Sequence, residues 1–430
     1  MGITIKKYDN LYLKIETKDF SYYNALKEHF TAYADGFQYM YKFKTGMWDG
    51  KICLFNGLKK TLPLGLITDL LSFNKKSFPN LKYEIDPDLK KLFSGKELKP
   101  KYDLSLYPRE YQEDCIKASL KFTRGIIRIS TAGGKSAVIA YIIKTLYENN
   151  ITKNHLIICP TKSLVEQFYK DLKEYGIKNI GRVYDRHKEF DKTIVISTWQ
   201  SLQNRHDTLL KYDCVIIDEC HVSGNTIRDI LSNCKNAIYR LGFTGTLPTH
   251  KLDLWNVKSF LGPVLREYNA KYLAKKGYIS ECNIKTITMN YPEKYDGNYN
   301  DVKDDIFKNK VRMEQLKSIV SDVDSNILVL VGKVEKEGKV LKDYLKIKGK
   351  ETVFLHGSTS VDIREEWRNR MDSVDNTLLK FGDKEIYVKN NDIVLLVDGK
   401  NKEAKDITTD DDIDNSWISS KIENRKENIK

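Results

Sequence analysis

The sequence predicts an α/β protein: parallel sheets with crossover helices, preceded by a small α+β domain. Three observations carry that expectation. Between residues 108 and 279, short β-branched runs alternate with helical apolar patterns, as in strands joined by crossover helices. Each run ends in glycine or polar residues, and open parallel sheets bind ligands at the carboxyl ends of their strands. The first 95 residues differ in composition, with 15 lysines, no arginine, eight tyrosines and eight phenylalanines.

In this first block the alternation of Tyr12-Leu13-Lys14-Ile15-Glu16 predicts a strand and Tyr22 to Phe30 a helix. Lys51 to Phe55 predicts a second strand after the turn residues Trp48-Asp49-Gly50. Lys42, Lys44 and Lys51 lie beside Tyr39, Tyr41, Phe43 and Trp48, a mixture suited to phosphate contact and stacking on unpaired bases. A small α+β domain with a solvated lysine face accounts for the same residues equally well.

A lysine-rich connector, Ser94 to Tyr107, leads into Pro108-Arg109-Glu110-Tyr111-Gln112. The run Gly125 to Ile129 then predicts a buried strand, Thr131-Ala132-Gly133-Gly134 a phosphate-cradling loop, and Lys135-Ser136 the start of a helix. Backbone N–H groups and the helix N-terminus would wrap the β-phosphate of ATP, Lys135 would reach the β/γ oxygens, and the Ser136 hydroxyl would ligate Mg²⁺. The match to G-x-x-x-x-G-K-[ST] is partial, because Ile129 stands at the first glycine.

Leu156 to Cys159 predicts the next strand, ending in Pro160-Thr161, with Leu164 to Tyr175 helical. Thr193 to Thr198 is another strand, followed by Trp199-Gln200. Cys214 to Ile217 ends in Asp218-Glu219-Cys220-His221, where Asp218 is placed to hold Mg²⁺ and Glu219 to polarise an attacking water. Arg240 to Phe243 closes on Thr244-Gly245-Thr246.

The chain has 430 residues, enough for several domains, and no apolar run long enough for a membrane span. Its net charge of +13 makes a polyanion the first partner to consider. Seven scattered cysteines without C-x-x-C pairs point to reduced thiols rather than zinc modules or disulfides. The amino terminus lacks a secretory pattern, so a cytoplasmic location is expected.

In order and spacing, Tyr111-Gln112, Thr131 to Ser136, Pro160 to Leu164, Asp218 to His221 and Thr244 to Thr246 resemble the motifs of superfamily 2 helicases. The passages Ala34 to Phe37, Gly46 to Ile52 and Leu62 to Leu66 resemble the small recognition domain of phage recombination helicases of the UvsW type. The resemblance implies tandem RecA-like lobes and an ATP- and Mg²⁺-dependent helicase acting on branched DNA or duplex/single-strand junctions. RNA–DNA hybrids are a further partner to consider, the oligomeric state is left open with a monomer favoured, and the implied place of work is the infected bacterial cytoplasm. It further implies that Gln112 reads adenine and that His221, Thr244, Gly245 and Thr246 couple hydrolysis to movement. Pro160, Thr161, Thr198, Trp199 and Gln200 would touch the nucleic-acid backbone, and the resemblance strengthens the DNA-binding reading of Lys42, Lys44, Trp48 and Lys51.

The expected organisation is a recognition domain at 1–95, a first lobe at 108–279, a truncated second lobe at 280–375, and a β-rich, charged tail of unrelated character at 376–430. In the second lobe Cys282 to Ile287 and Asn326 to Val331 read as strands, and Val353 to Ser358 leads into a helix from Arg364 to Met371. Residues 377–413 read as a hairpin-like series, weakly similar to intein modules, and 419–430 as a charged helix or tail. The family's later arginine motif does not occur. Arg364, Arg368 and Arg370 match an earlier motif, so this chain is expected to bind ATP and DNA, to hydrolyse slowly and not to unwind. Two rival readings remain: an ATP-binding annealing protein without motor activity, and the motor subunit of a restriction nuclease.

Overall fold

In a computed structural model the described residues are 2–222, 224–280, 283–288, 299–322, 326–331, 338–345 and 352–356, with 359–360, 363–364, 366–367, 376–381 and 393–398. The chain forms two compact units, residues 1–273 and 274–430.

The first unit opens with strands β1 (Gly2–Lys7) and β2 (Tyr12–Glu16), a small pair β3 (Thr31–Tyr33) and β4 (Lys51–Cys53), then β5 (Thr61–Pro63) and β6 (Lys82–Ile85). Four of these form one sheet in the order β5-β2-β1-β6, while β3 and β4 pair only with each other. The alternation seen in the sequence is the reason for the sheet's buried face: Ile3, Ile5, Leu13 and Ile15 all point into the core. The helices Phe20–His29 and Ile67–Ser77 cover it, the first capped by the Asp19 carboxylate, which accepts from the Ser21 amide at 2.8 Å.

The second sheet comprises β7 (Arg124–Ile129), β8 (His155–Cys159), β9 (Ile180–Tyr184), β10 (His187–Lys188), β11 (Ile194–Thr198), β12 (Cys214–Asp218), β13 (Tyr239–Thr244) and β14 (Val264–Tyr268). Its order is β10-β9-β11-β8-β12-β13-β7-β14, parallel except for β10. Helices on its faces bury the central strands, so β8, β11, β12 and β13 lie wholly inside. The expected loops after β7, β8, β11, β12 and β13 therefore emerge along one edge of the sheet.

Residues 1–95, expected to form a separate domain, share their core with the second sheet's layer. Trp255, on the helix Lys251–Leu261, is buried among N-terminal residues, its ring centroid 5.4 Å from that of Phe30. On the same helix Lys258 pairs with Asp69 at 3.1 Å, both largely buried. Gly65 lies so close that a Cβ there would be 1.8 Å from the Lys258 carbonyl oxygen. Arg124 donates to the Asn10 carbonyl at 2.9 Å, and Arg228 to the Tyr12 hydroxyl at 2.6 Å.

The second unit holds β15 (Asn283–Thr288), β16 (Asn326–Leu330), β17 (Asn376–Phe381) and β18 (Ile393–Asp398), in the order β15-β18-β17-β16. All neighbours are parallel. This corrects the hairpin-like, unrelated reading of the segment after 376: its two strands complete the same sheet as 283–330. Parallel neighbours need a crossover connection, which local strand patterning does not reveal. The middle of the hairpin-like series, Glu385 to Val388, together with Gly357-Ser358, Arg368, Arg370 and everything after 398, lies outside the described residues. Of the cysteines, Cys115, Cys159, Cys214, Cys220 and Cys234 are buried free thiols and Cys53 is exposed.

Candidate nucleotide and nucleic-acid site

The loop after β7 turns by backbone conformations that its residues make tolerable. Gly134 adopts φ +73°, and a Cβ there would strike the Gln112 amide at 2.4 Å. A Cβ on Gly133 would lie 2.3 Å from Cγ2 of Ile129, so the isoleucine in place of the pattern's first glycine is accommodated by a glycine four residues later. Ala132, at φ +62°, takes a left-handed conformation that costs an L-residue free energy.

Two side chains brace this loop from the helix Glu110–Lys121. The Tyr111 hydroxyl donates to the Gly133 carbonyl at 2.7 Å, and the Gln112 amide donates to the same oxygen at 3.0 Å. The Gln112 oxygen accepts from the Arg109 amide at 2.8 Å, and the residue is 3% exposed. Each end of its amide thus has a partner in the protein, and Gln112 shapes the loop while the second lone pair of its oxygen is left over.

Lys135, first in its helix, forms an ion pair with Glu219 and lies 3.9 Å from Asp218 Oδ1. Asp218 is 3% exposed and this same Oδ1 has no hydrogen-bond partner, which a buried carboxylate tolerates only where a cation can serve it. Burial pushes its carboxyl up to about 6, with the Lys135 charge working against the rise. Among the described residues no cluster of three or more His, Cys, Asp or Glu side chains can hold a metal. The unpartnered Asp218 oxygen and the Ser136 hydroxyl are hard oxygen donors, the chemistry that suits an ion such as Mg²⁺, which keeps waters and takes further ligands from substrate phosphates.

Glu219 adopts φ +48°, a strained turn that aims its carboxylate across the strand ends. Burial acts to raise its pKa, but the hydrogen bond from His221 and the Lys135 charge outweigh it and hold the group down to about 2. His221 Nδ1 lies 2.8 Å from the Thr244 hydroxyl and 3.3 Å from Glu219 Oε2. The Thr244 hydroxyl donates to the Thr246 carbonyl at 2.6 Å, and Gly245 lies against the phosphate loop, where a Cβ would be 3.4 Å from Thr131 Oγ1. Of the expected coupling residues, His221, Thr244 and Thr246 are thus linked by hydrogen bonds to the expected hydrolytic carboxylate, and Gly245 is held between them.

Sequence reasoning missed Tyr175, whose hydroxyl lies 3.1 Å from that of Ser136. Burial raises its pKa, so it stays neutral at physiological pH. Donation from Ser136 to Tyr175 leaves the serine lone pairs for a cation. Tyr175→Phe should raise the Mg²⁺ concentration for half-maximal hydrolysis about 2- to 10-fold, the worth of one hydrogen bond, with Tm unchanged.

The expected nucleic-acid contacts divide. Pro160 and Trp199 are half-buried and line a cleft too narrow to admit water, with Asp218, Glu219, Val222 and Ile227. Thr161 and Gln200 are exposed, although the Thr161 hydroxyl already caps the helix Lys162–Glu174 by accepting from the Leu164 amide at 3.3 Å. Thr198 corrects its expectation: it is 4% exposed and its hydroxyl lies 2.9 Å from that of Ser201, so it cannot reach a phosphate. Lys42, Lys44 and Lys51 are exposed on the excursion around β3 and β4, where Trp48 Nε1 donates to the Lys51 carbonyl at 2.9 Å.

The unpaired Asp218 oxygen makes a second prediction. With a folded pKa near 6 against about 4 unfolded, Asp218 holds its proton longer when folded, so its contribution to stability falls as pH rises from about 4 to 6. Asp218→Asn cannot ionise and escapes that loss. Without metal or nucleotide, Tm of the variant should exceed the parent's by a few degrees at pH 8, corresponding to about 1–3 kcal/mol, and the gap should close at pH 4.

Comparison with known proteins agrees with this geometry. Residues 2–86 match the family described as DNA helicase UvsW, N-terminal, and residues 105–249 the family described as type III restriction enzyme, res subunit. The chain is 25% identical over 402 residues to the ATP-dependent DNA helicase uvsW of Enterobacteria phage T4, covering 85% of this chain and 77% of that one. It is 27% identical over 238 residues to the DNA 3'-5' translocase XPB2 of Sulfurisphaera tokodaii, covering 54% and 51%. The crystal structure of T4 UvsW aligns with a TM-score of 0.56 and 21% identity, covering 92% of this chain and 80% of that one. A second UvsW crystal structure aligns at 0.55 and 24% identity, over 62% of this chain and all of the other.

The fold, the site and these relatives define a nucleic-acid-dependent ATPase of helicase superfamily 2, built on RecA-like parallel sheets. Within that class the chain is similar to the UvsW helicases: its amino-terminal residues match their amino-terminal family, and most of its length aligns with the protein from phage T4.

Proposed function

We propose that this chain uses ATP and Mg²⁺ to translocate on and remodel branched DNA during phage recombination, replication or repair, in the cytoplasm of the infected cell. The observation that carries the reading is the Lys135, Asp218 and Glu219 cluster within the same compact unit as the lysine-rich domain. In the free state Glu219 holds Lys135. Nucleotide phosphates would draw Lys135 away and remove its part in depressing the Glu219 pKa, the His221 hydrogen bond remaining, and leave that carboxylate free to orient water. A bound Mg²⁺ would supply charge neutralisation of the phosphates, held by Ser136 and Asp218.

Nucleic acid against Pro160 and Trp199 would press on the cleft shared with Glu219, which gives a route for DNA to stimulate hydrolysis. Lys42, Lys44 and Lys51 would hold phosphates. The reading extends to DNA forks, with RNA–DNA hybrids as further substrates.

The reading is tested by strand release from a labelled fork, with ATP and Mg²⁺, against simple annealing of complementary strands. ATP-dependent release supports a full motor, DNA-stimulated hydrolysis without release supports the impaired motor expected from the sequence, and ATP-independent annealing alone supports the ATP-binding annealing protein. Lys42→Ala/Lys44→Ala/Lys51→Ala in the full chain should weaken duplex binding at every sequence. It should also reduce the slope of log affinity against log salt by about 0.9 for each phosphate that is no longer neutralised. An unchanged slope would show that these lysines do not hold DNA.

A further inference from the structure

The excursion between β3 and β4 has a built interior and an unusually apolar exterior. Phe37 stacks on Tyr33 with ring centroids 4.5 Å apart and meets Phe43 edge-on at 4.7 Å. Gly50, at φ +79°, closes the turn where a Cβ would lie 2.4 Å from the Phe37 ring, and its carbonyl accepts from the Ala34 amide at 2.9 Å. Phe37, Phe43 and Trp48 thus serve the scaffold. Outside it, Tyr39, Tyr41 and Met47 are 76%, 74% and 73% exposed, and none belongs to the domain core.

Exposed aromatics grouped this way are costly to solubility and mark a contact surface. The side chains around them identify the partner. Lys42 and Lys44 alternate with the aromatics and make no ion pair among the described residues, while the Lys51 ammonium sits 5.2 Å from the Tyr33 ring centroid. A dry protein interface would deplete lysine at its centre, whereas aromatic faces flanked by cations suit bases and phosphates together.

We propose that Tyr39, Tyr41 and Met47 form a stacking tip that engages unpaired bases where duplex opens into single strand, with Lys42 and Lys44 on the adjoining phosphates. The inference rests on the DNA-binding reading above and adds to it a substrate feature, the unpaired base. The tip is rigid by virtue of the Phe37 scaffold, so stacking costs little ordering, and every base has a face to offer, so sequence preference should be small.

The test uses the full chain and DNA carrying 2-aminopurine at the first unpaired position of a fork, beside a fully paired duplex of the same sequence. The parent should change the 2-aminopurine fluorescence on binding the fork. Tyr39→Ala/Tyr41→Ala should abolish that change and weaken fork binding about 5- to 100-fold, with duplex affinity and salt slope within twofold of the parent. Tyr39→Phe/Tyr41→Phe should retain fork binding. Equal losses on fork and duplex, or no loss on either, would overturn the stacking tip while leaving phosphate binding intact; the second result would point to a protein partner for the patch. If the parent binds neither DNA at low salt, the DNA-binding reading itself falls.

Discussion

Glu219→Gln should retain ATP and lose turnover, by about 10²- to 10⁴-fold in kcat, the range for a removed acid–base group. The amide keeps the size and one acceptor of the carboxylate, so the turn at φ +48° and the contacts with His221 and Thr244 can persist. What disappears is the charge that holds Lys135 in the free protein. Lys135 would then be available to phosphate, and ATP affinity should stay level or rise. Equilibrium binding of a fluorescent ATP analogue together with steady-state hydrolysis separates these effects. Weakened binding with proportionate loss of rate would instead make Glu219 a structural residue.

Lys135→Ala should have the opposite signature, with hydrolysis abolished and ATP binding weakened, because the one ammonium aimed at the β/γ-phosphate position is gone. It also leaves two neighbouring carboxylates, Asp218 and Glu219, without their shared cation. Removing one partner of a buried pair is destabilising, and for these largely buried groups a loss of about 1–3 kcal/mol is expected after allowing for partial solvation. Tm should therefore fall by several degrees, most at neutral pH where both carboxylates are ionised, and calorimetry at pH 7 measures it. Unchanged hydrolysis in this variant would remove the assignment of the phosphate site.

Much of the first sheet was legible because strands buried on both faces read as unbroken apolar runs, and because their carboxyl ends carry the polar residues. Lys135, Ser136, Asp218, Glu219, His221 and Thr244 were all found that way, and the structure brings them to one edge. The Tyr175 contact with Ser136 was not legible, since a tyrosine at the end of a helix 39 residues away carries no local signal. Nor was the bracing role of Gln112, whose partners are backbone carbonyls. Thr198 was read correctly as the last residue of a strand, and its nucleic-acid role came only from the resemblance; its burial at that strand's end is what the structure adds.

The amino-terminal domain shows the same limit. Its strands and first helix follow from alternation and capping, but its attachment does not. Trp255 and Lys258 lie more than 150 residues downstream and read as one face of an ordinary amphipathic helix. Parallel pairing of β17 with β18 was likewise invisible, because two nearby apolar runs look like a hairpin unless the rest of the sheet is known.

The central claim is that the Lys135, Asp218 and Glu219 site hydrolyses ATP in response to nucleic acid. Steady-state phosphate release by the 430-residue chain, with and without saturating forked DNA and with Glu219→Gln as the blank, tests it directly. Forked DNA should raise the rate at least tenfold, whatever its absolute value, and the blank should stay flat in both conditions. A rate indifferent to DNA, or one that survives Glu219→Gln, would contradict it.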